Sequence, residues 1–101
     1  MDRPKRVTTL QSPTRLVKLA KQVESILENR FPGAYCKVLH APDNRLRVLI
    51  VDEHFNGVET LAKMKEVVER LRRPKIGRRG LSEDEMEVIS SINAYGPAEL
   101  V

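Results

Sequence analysis

The chain has 101 residues with 18 basic and 14 acidic side chains, a net charge of +4, one Cys and no Trp. This length makes one domain with a single modest core, which excludes a multi-domain enzyme. One cysteine excludes an internal disulfide framework and an all-cysteine zinc site.

Residues 1–11 contain Pro4 and show no periodicity, so with Arg3, Lys5 and Arg6 they read as a flexible basic arm ahead of a single domain over residues 12–101. Ser12 and Pro13 suit the N-cap and first position of a helix. Leu16, Leu19, Ala20, Val23, Ile26 and Leu27 then recur at helical spacing as one apolar stripe, until Phe31-Pro32-Gly33 ends it near Asn29–Arg30. Ala34–His40 reads as a strand with Ala34, Cys36, Val38 and His40 toward the core. Ala41-Pro42-Asp43-Asn44 is a turn by composition. Arg45–Asp52 is a second strand, apolar on both sides over Val48–Val51, so it belongs in the middle of a sheet and pairs with the first as an antiparallel hairpin.

After the loop Asp52–Gly57, a second helix is expected from about Val58 to Arg72, with Leu61, Met64, Val68 and Leu71 as its buried stripe and Val67 at the edge. Pro74 stops it. A short third helix starts at Ser82, which has capping-box spacing to Glu85, and Glu83, Asp84 and Glu85 suit the positive end of its dipole. Met86 and Ile89 are expected to be buried. Ser91–Gly96 is the third strand, with Ile92 and Ala94 inward, and Pro97–Leu100 a final turn. The order helix, strand, strand, helix, short helix, strand predicts an α+β two-layer fold, a three-stranded sheet with helices on one face.

Charge is sorted along the chain. Over residues 70–101 all six basic side chains fall in 70–79 and all five acids follow. Arg72, Arg73, Lys75, Arg78 and Arg79 form one basic cluster, in which Gly77 and Gly80 bracket two arginines. Such a cluster supplies phosphate-pairing charge. It is equally a solvated loop that Glu83, Asp84, Glu85 and Glu87 can neutralise.

The element order is that of the type II KH fold, which BolA proteins share. From Ile26 to Leu100 the sequence resembles the BolA family: ILENRFPGAYCKVL closing a helix, RLRVLIVDEHF as a strand, FNGVETLAKMKEVVERL, then VISSINAYGPAEL. Phe55, Gly57 and the ending Pro97-Ala98-Glu99-Leu100 carry the match. That resemblance implies an adaptor that pairs with a monothiol glutaredoxin in iron-sulfur trafficking or stress response. The family's second helix bears a basic-His-basic triplet whose His binds the cluster. Here the triplet is Lys63-Met64-Lys65, so the metal role does not carry over. The loop between the first two strands also lacks the family's His or Cys. A KH domain instead clamps a nucleic-acid backbone with a GXXG loop between two helices. Gly77-Arg78-Arg79-Gly80 sits there, and glycine lets backbone N–H groups approach phosphate closely. The helix restarting at Ser82 with acids departs from the KH pattern.

Catalytic constellations are not evident. Cys36 and His40 share a strand face but lie about 13 Å apart by strand rise, too far for proton transfer. A metal pair with His54 lacks a third ligand. Asp52 and Glu53 suit capping or solvent. Phe31, Tyr35, Phe55 and Tyr95 are expected to be too few and too buried for a stacking platform. The sequence thus predicts a non-enzymatic, cytoplasmic regulatory domain without a cofactor. It carries no secretory signal and no segment approaching the roughly 18 apolar residues of a membrane span. The expected site is Arg72, Arg73, Lys75, Gly77, Arg78, Arg79 and Gly80, contacting single-stranded RNA or DNA. The glutaredoxin adaptor is the alternative. Tyr35–His40 is a candidate sheet edge for homodimer pairing, with Lys37 as a guard.

Overall fold

The structure, a computed structural model, describes residues 13–73 and 79–100. The basic arm, the Ser12 cap, Lys75, Gly77 and Arg78 lie outside those residues. Helix α1 spans Pro13–Arg30, strand β1 Tyr35–His40, strand β2 Leu46–Val51, helix α2 Thr60–Arg72, helix α3 Glu83–Val88 and strand β3 Ile89–Tyr95. Short 3₁₀ turns at Glu53–Phe55 and Pro97–Leu100 complete it. The coarse α+β class is as the sequence implies. The sheet order is β1-β2-β3, with β1 antiparallel and β3 parallel to the central β2.

All six apolar positions of the α1 stripe are buried. They lie over β1, while α2 lies over β3 and also touches α1. Leu46, Val48 and Ile50 of β2 form the fully buried centre, flanked by Val38 and Ala94 in register. Cys36 and Ala34 are half-buried, but His40, expected inward, is exposed. It ends an edge strand beside the turn, where solvent reaches one side. In that turn Asn44 adopts a φ of 61°, a left-handed conformation that asparagine tolerates through its short polar side chain. Asp52 caps the first 3₁₀ turn rather than α2, accepting the His54 N–H. Gly57, at a φ of 75°, then turns the chain toward α2. The helix-to-strand passage at α3 is tighter than expected. β3 begins at Ile89, directly after α3, and a bulge opposite Leu46/Arg47 lets Ser90 Oγ donate to the Leu46 carbonyl at 3.2 Å.

Helix α2 is rotated from its expected orientation. Its buried face is Lys63, Val67 and Leu71, whereas Leu61 and Met64 are exposed and Val68 half-buried. Lys63, only 4 % exposed, explains the rotation. Its Nζ donates to Glu99 Oε1 at 2.8 Å and lies 5.8 Å from the Tyr95 ring centroid, so the buried cation has both an anion and a π face. Glu99 Oε1 also accepts the Gly96 N–H at 2.7 Å. The Lys63 hydrogen bond, helped by the Gly96 N–H, holds the Glu99 carboxyl below its ordinary value of 4.5. A carboxyl with a lowered folded pKa contributes stability above its unfolded value, and that contribution is lost as pH falls through the folded one. Thermal melts should therefore show Glu99→Gln less stable than the parent at pH 7, with the gap closing as pH drops below about 4.5. A gap independent of pH would mean that the ion pair contributes nothing.

Candidate nucleic-acid interface

Four of the seven expected site residues fall among the described residues. Arg72 ends α2, Arg73 follows it as the C-cap, and Arg79 and Gly80 lead toward α3. Two features bring these ends together. Leu81 is buried and its N–H donates to the Leu71 carbonyl at 3.0 Å, which pins the chain before α3 to the last turn of α2. Ser82 Oγ accepts the Glu85 N–H at 3.2 Å while Glu85 Oε1 accepts the Ser82 N–H at 2.9 Å, the reciprocal capping box expected from the sequence. Arg73 and Arg79 thus lie at the same end of the α2–α3 pair.

The described arginines are paired with carboxylates. Arg72 lies 3.4 Å from Glu83, Arg73 3.3 Å from Glu69, and Arg79 grips Glu85 at 3.1 Å. The first two pairs are solvent-exposed, contribute well under about 1 kcal/mol, and exchange readily for another anion. Arg79 is held more firmly, since both its terminal nitrogens reach Glu85, whose side chain is only 15 % exposed. Glu85 also borders a shallow recess with Arg15, Lys18, Leu19 and Gln22, so cations continue from the loop onto α1.

Next to Arg72 runs an open groove of about 320 Å³. Its apolar lining is Met64 and Val68 of α2, Met86 of α3, and Ile89 and Ile92 of β3, and Arg72, Glu83, Glu87, Ser90 and Ser91 complete it. Sequence reasoning assigned these apolar residues to the core. Helical spacing fits two faces of α2, one through Leu61, Met64 and Val68 and the other through Lys63, Val67 and Leu71. The first has more apolar residues, and the second goes inward with Val67 and Leu71 fully buried and Lys63 neutralised by Glu99. The remaining signal was the half-buried state of Ile89 and Ile92, which sequence alone does not carry.

The other chemistry-bearing residues do not converge. Cys36 is a half-buried thiol whose pKa rises to about 11, chiefly by burial and then through the charges of Glu28, Glu24 and Asp52. It is protonated at neutral pH and a poor nucleophile. His54 Nε2 sits 2.7 Å from Glu66 and its ring packs against Phe55 and Phe31. Among the described residues no three His, Cys, Asp or Glu side chains gather so as to hold a metal ion. No described helix is long and apolar enough to cross a membrane. No family model, curated protein or solved structure matches the chain.

Proposed function

We propose that the chain is a non-enzymatic KH-like domain that binds single-stranded nucleic acid at the α2–α3 end. In this reading Arg72, Arg73, Lys75, Arg78 and Arg79 pair phosphates, and Gly77 and Gly80 let the backbone approach closely. The observation that carries it is the apolar groove of Met64, Val68, Met86, Ile89 and Ile92 with Arg72 on its rim. Unstacked bases need an apolar surface beside the cations that hold their phosphates, and a groove bordered by Arg72 offers that pairing. The protonated Cys36 thiol supports a binding module over a cysteine enzyme.

Fluorescence anisotropy with short single-stranded RNA and DNA at two salt concentrations tests this. Affinity is expected to fall steeply with salt, and Arg78→Glu with Arg79→Glu should lower it at least tenfold. An unchanged affinity in that double variant would remove the segment from the interface. A chain that binds no oligonucleotide at low salt but co-elutes with a cluster-loaded monothiol glutaredoxin is instead the adaptor that the BolA resemblance implies.

A further inference from the structure

Among the described residues the face of the sheet turned away from the helices is uncovered, and it has a definite chemistry. Register places Tyr35, Val51 and Tyr95 in one row across the three strands. Tyr35 is 58 % exposed and Tyr95 37 %. The sequence suggested that the aromatics are too buried for stacking. That holds for Phe31 and Phe55, which point into the core, but not for the two tyrosines. Strand spacing sets them about 10 Å apart, one on each edge strand. Lys63 Nζ lies over one face of the Tyr95 ring, 5.8 Å from its centroid.

The remaining rows supply charge of one sign. Lys37 lies in the next row and Arg47 in the one after, about 7 and 14 Å along the strands from the tyrosines. Both are exposed, and none of the nine positions that face outward on the three strands is acidic. Asn93, in the same row as Lys37 on the opposite edge strand, is oriented by its Nδ2 contacts with the Val48 carbonyl and Ser91 Oγ. Asp43 shares a recess with Arg47 and Ser91 at the far end of the face, and aromatic rings with cations at this spacing match a nucleic-acid strand whose bases are free to stack. Duplex bases are already stacked on one another and present no free face. A second copy of the chain fits less well, because face-to-face pairing would bring Lys37 and Arg47 of both copies into one desolvated interface.

We infer that the open sheet face is a second contact for single-stranded nucleic acid, where Tyr35 and Tyr95 stack bases and Lys37 and Arg47 pair phosphates. It shares with the proposed function the class of partner, but does not depend on the basic segment. β3 joins the two surfaces. Ile89 and Ile92 line the groove on one side, and Tyr95 faces out on the other.

The sequence supplies its own probe. The chain has two tyrosines and no tryptophan, so its intrinsic emission comes from Tyr35 and Tyr95 alone. Titration with a short oligothymidylate should quench that emission, and a duplex of equal length should not. By anisotropy, Tyr35→Leu with Tyr95→Leu should weaken single-strand binding at least fivefold, while the double phenylalanine variant keeps it, the ring and not the hydroxyl being the contact. Circular dichroism of each variant checks that the fold persists. Quenching and tyrosine dependence that survive Arg78→Glu with Arg79→Glu would uphold the sheet contact and overturn the basic-segment reading. Binding abolished by the arginine reversal, with no quenching and no effect of the tyrosine variants, would do the reverse. Absence of any binding overturns both. Dimerisation by sedimentation that the tyrosine variants abolish would assign the face to a second copy and overturn the inference.

Discussion

Phe55→Ala is expected to lower stability by about 3–5 kcal/mol, the cost of emptying a fully buried aromatic site. Phe55 is the largest fully buried side chain of the fold. It sits in the 3₁₀ turn between β2 and α2, and its ring centroid lies 5.3 Å from that of Phe31 at the end of α1. One side chain therefore ties the sheet, the crossover and the N-terminal helix together. A domain of this size is stable by only about 5–15 kcal/mol, so the loss removes a large part of the total. At roughly 4–8 °C per kcal/mol the midpoint should fall by well over 10 °C. Urea and thermal unfolding measure it directly, and Phe55→Leu should recover much of the loss because it leaves a smaller cavity. A change below about 1 kcal/mol for the alanine variant would show that the ring does not fill the core.

Gly96→Ala is expected to be the most damaging single-methyl addition. Gly96 is buried where the end of β3 crosses the Asn56 turn. A Cβ there would lie 2.0 Å from Asn56 Oδ1 and 2.6 Å from Asn56 Cα and N. The side-chain oxygen can swing aside, though only by giving up its hydrogen bond from the Ala98 N–H. The backbone atoms cannot move without shifting the turn. The cost is steric, since Gly96 is not among the positive-φ residues. Overpacking of this kind costs about 1–3 kcal/mol, more where backbone must yield. Gly57→Ala is the matched comparison, since its φ of 75° imposes strain while the space around it is open. Because Gly96 also donates to Glu99, displacement of the turn should loosen the Lys63 ion pair. Gly96→Ala and Glu99→Gln should then be non-additive in a double-mutant cycle. Strict additivity would show that the clash is relieved locally.

The elements that sequence alone made legible are those where one physical signal acted undisturbed. The α1 stripe had no competing face, Ser82 and Glu85 had only one way to cap, and β2 was apolar on both sides because it is central. Legibility failed where a polar group outweighed the apolar pattern. Lys63 goes inward because Glu99, far along the chain, neutralises it, and no local window contains that pair. Met64 and Val68 were consequently assigned to the core when they line a groove. The candidate arginines were visible as a cluster. Their pairing with Glu83 and Glu85 was foreseeable only as an alternative, since it depends on where α3 docks, and the i,i+4 pair of Arg73 with Glu69 was not anticipated. Tyr35 was placed on the outward face by alternation, yet its meaning emerged only when the parallel register set Tyr95 in the same row.

The parallel pairing of β2 with β3 also orders the assembly of the molecule. The β1–β2 hairpin closes over five residues, 41–45, whereas β3 can join only after residues 52–88 have been brought round. Closing that longer loop costs more chain entropy before any contact compensates for it. With no residue between α3 and β3, the two must dock as one unit, and β3 is held by a neighbouring strand on only one side. It is thus the last strand to arrive. Both surfaces proposed for ligand contact rest on it, so an occupant of either would clamp that strand and raise the stability of the whole domain through its own binding free energy.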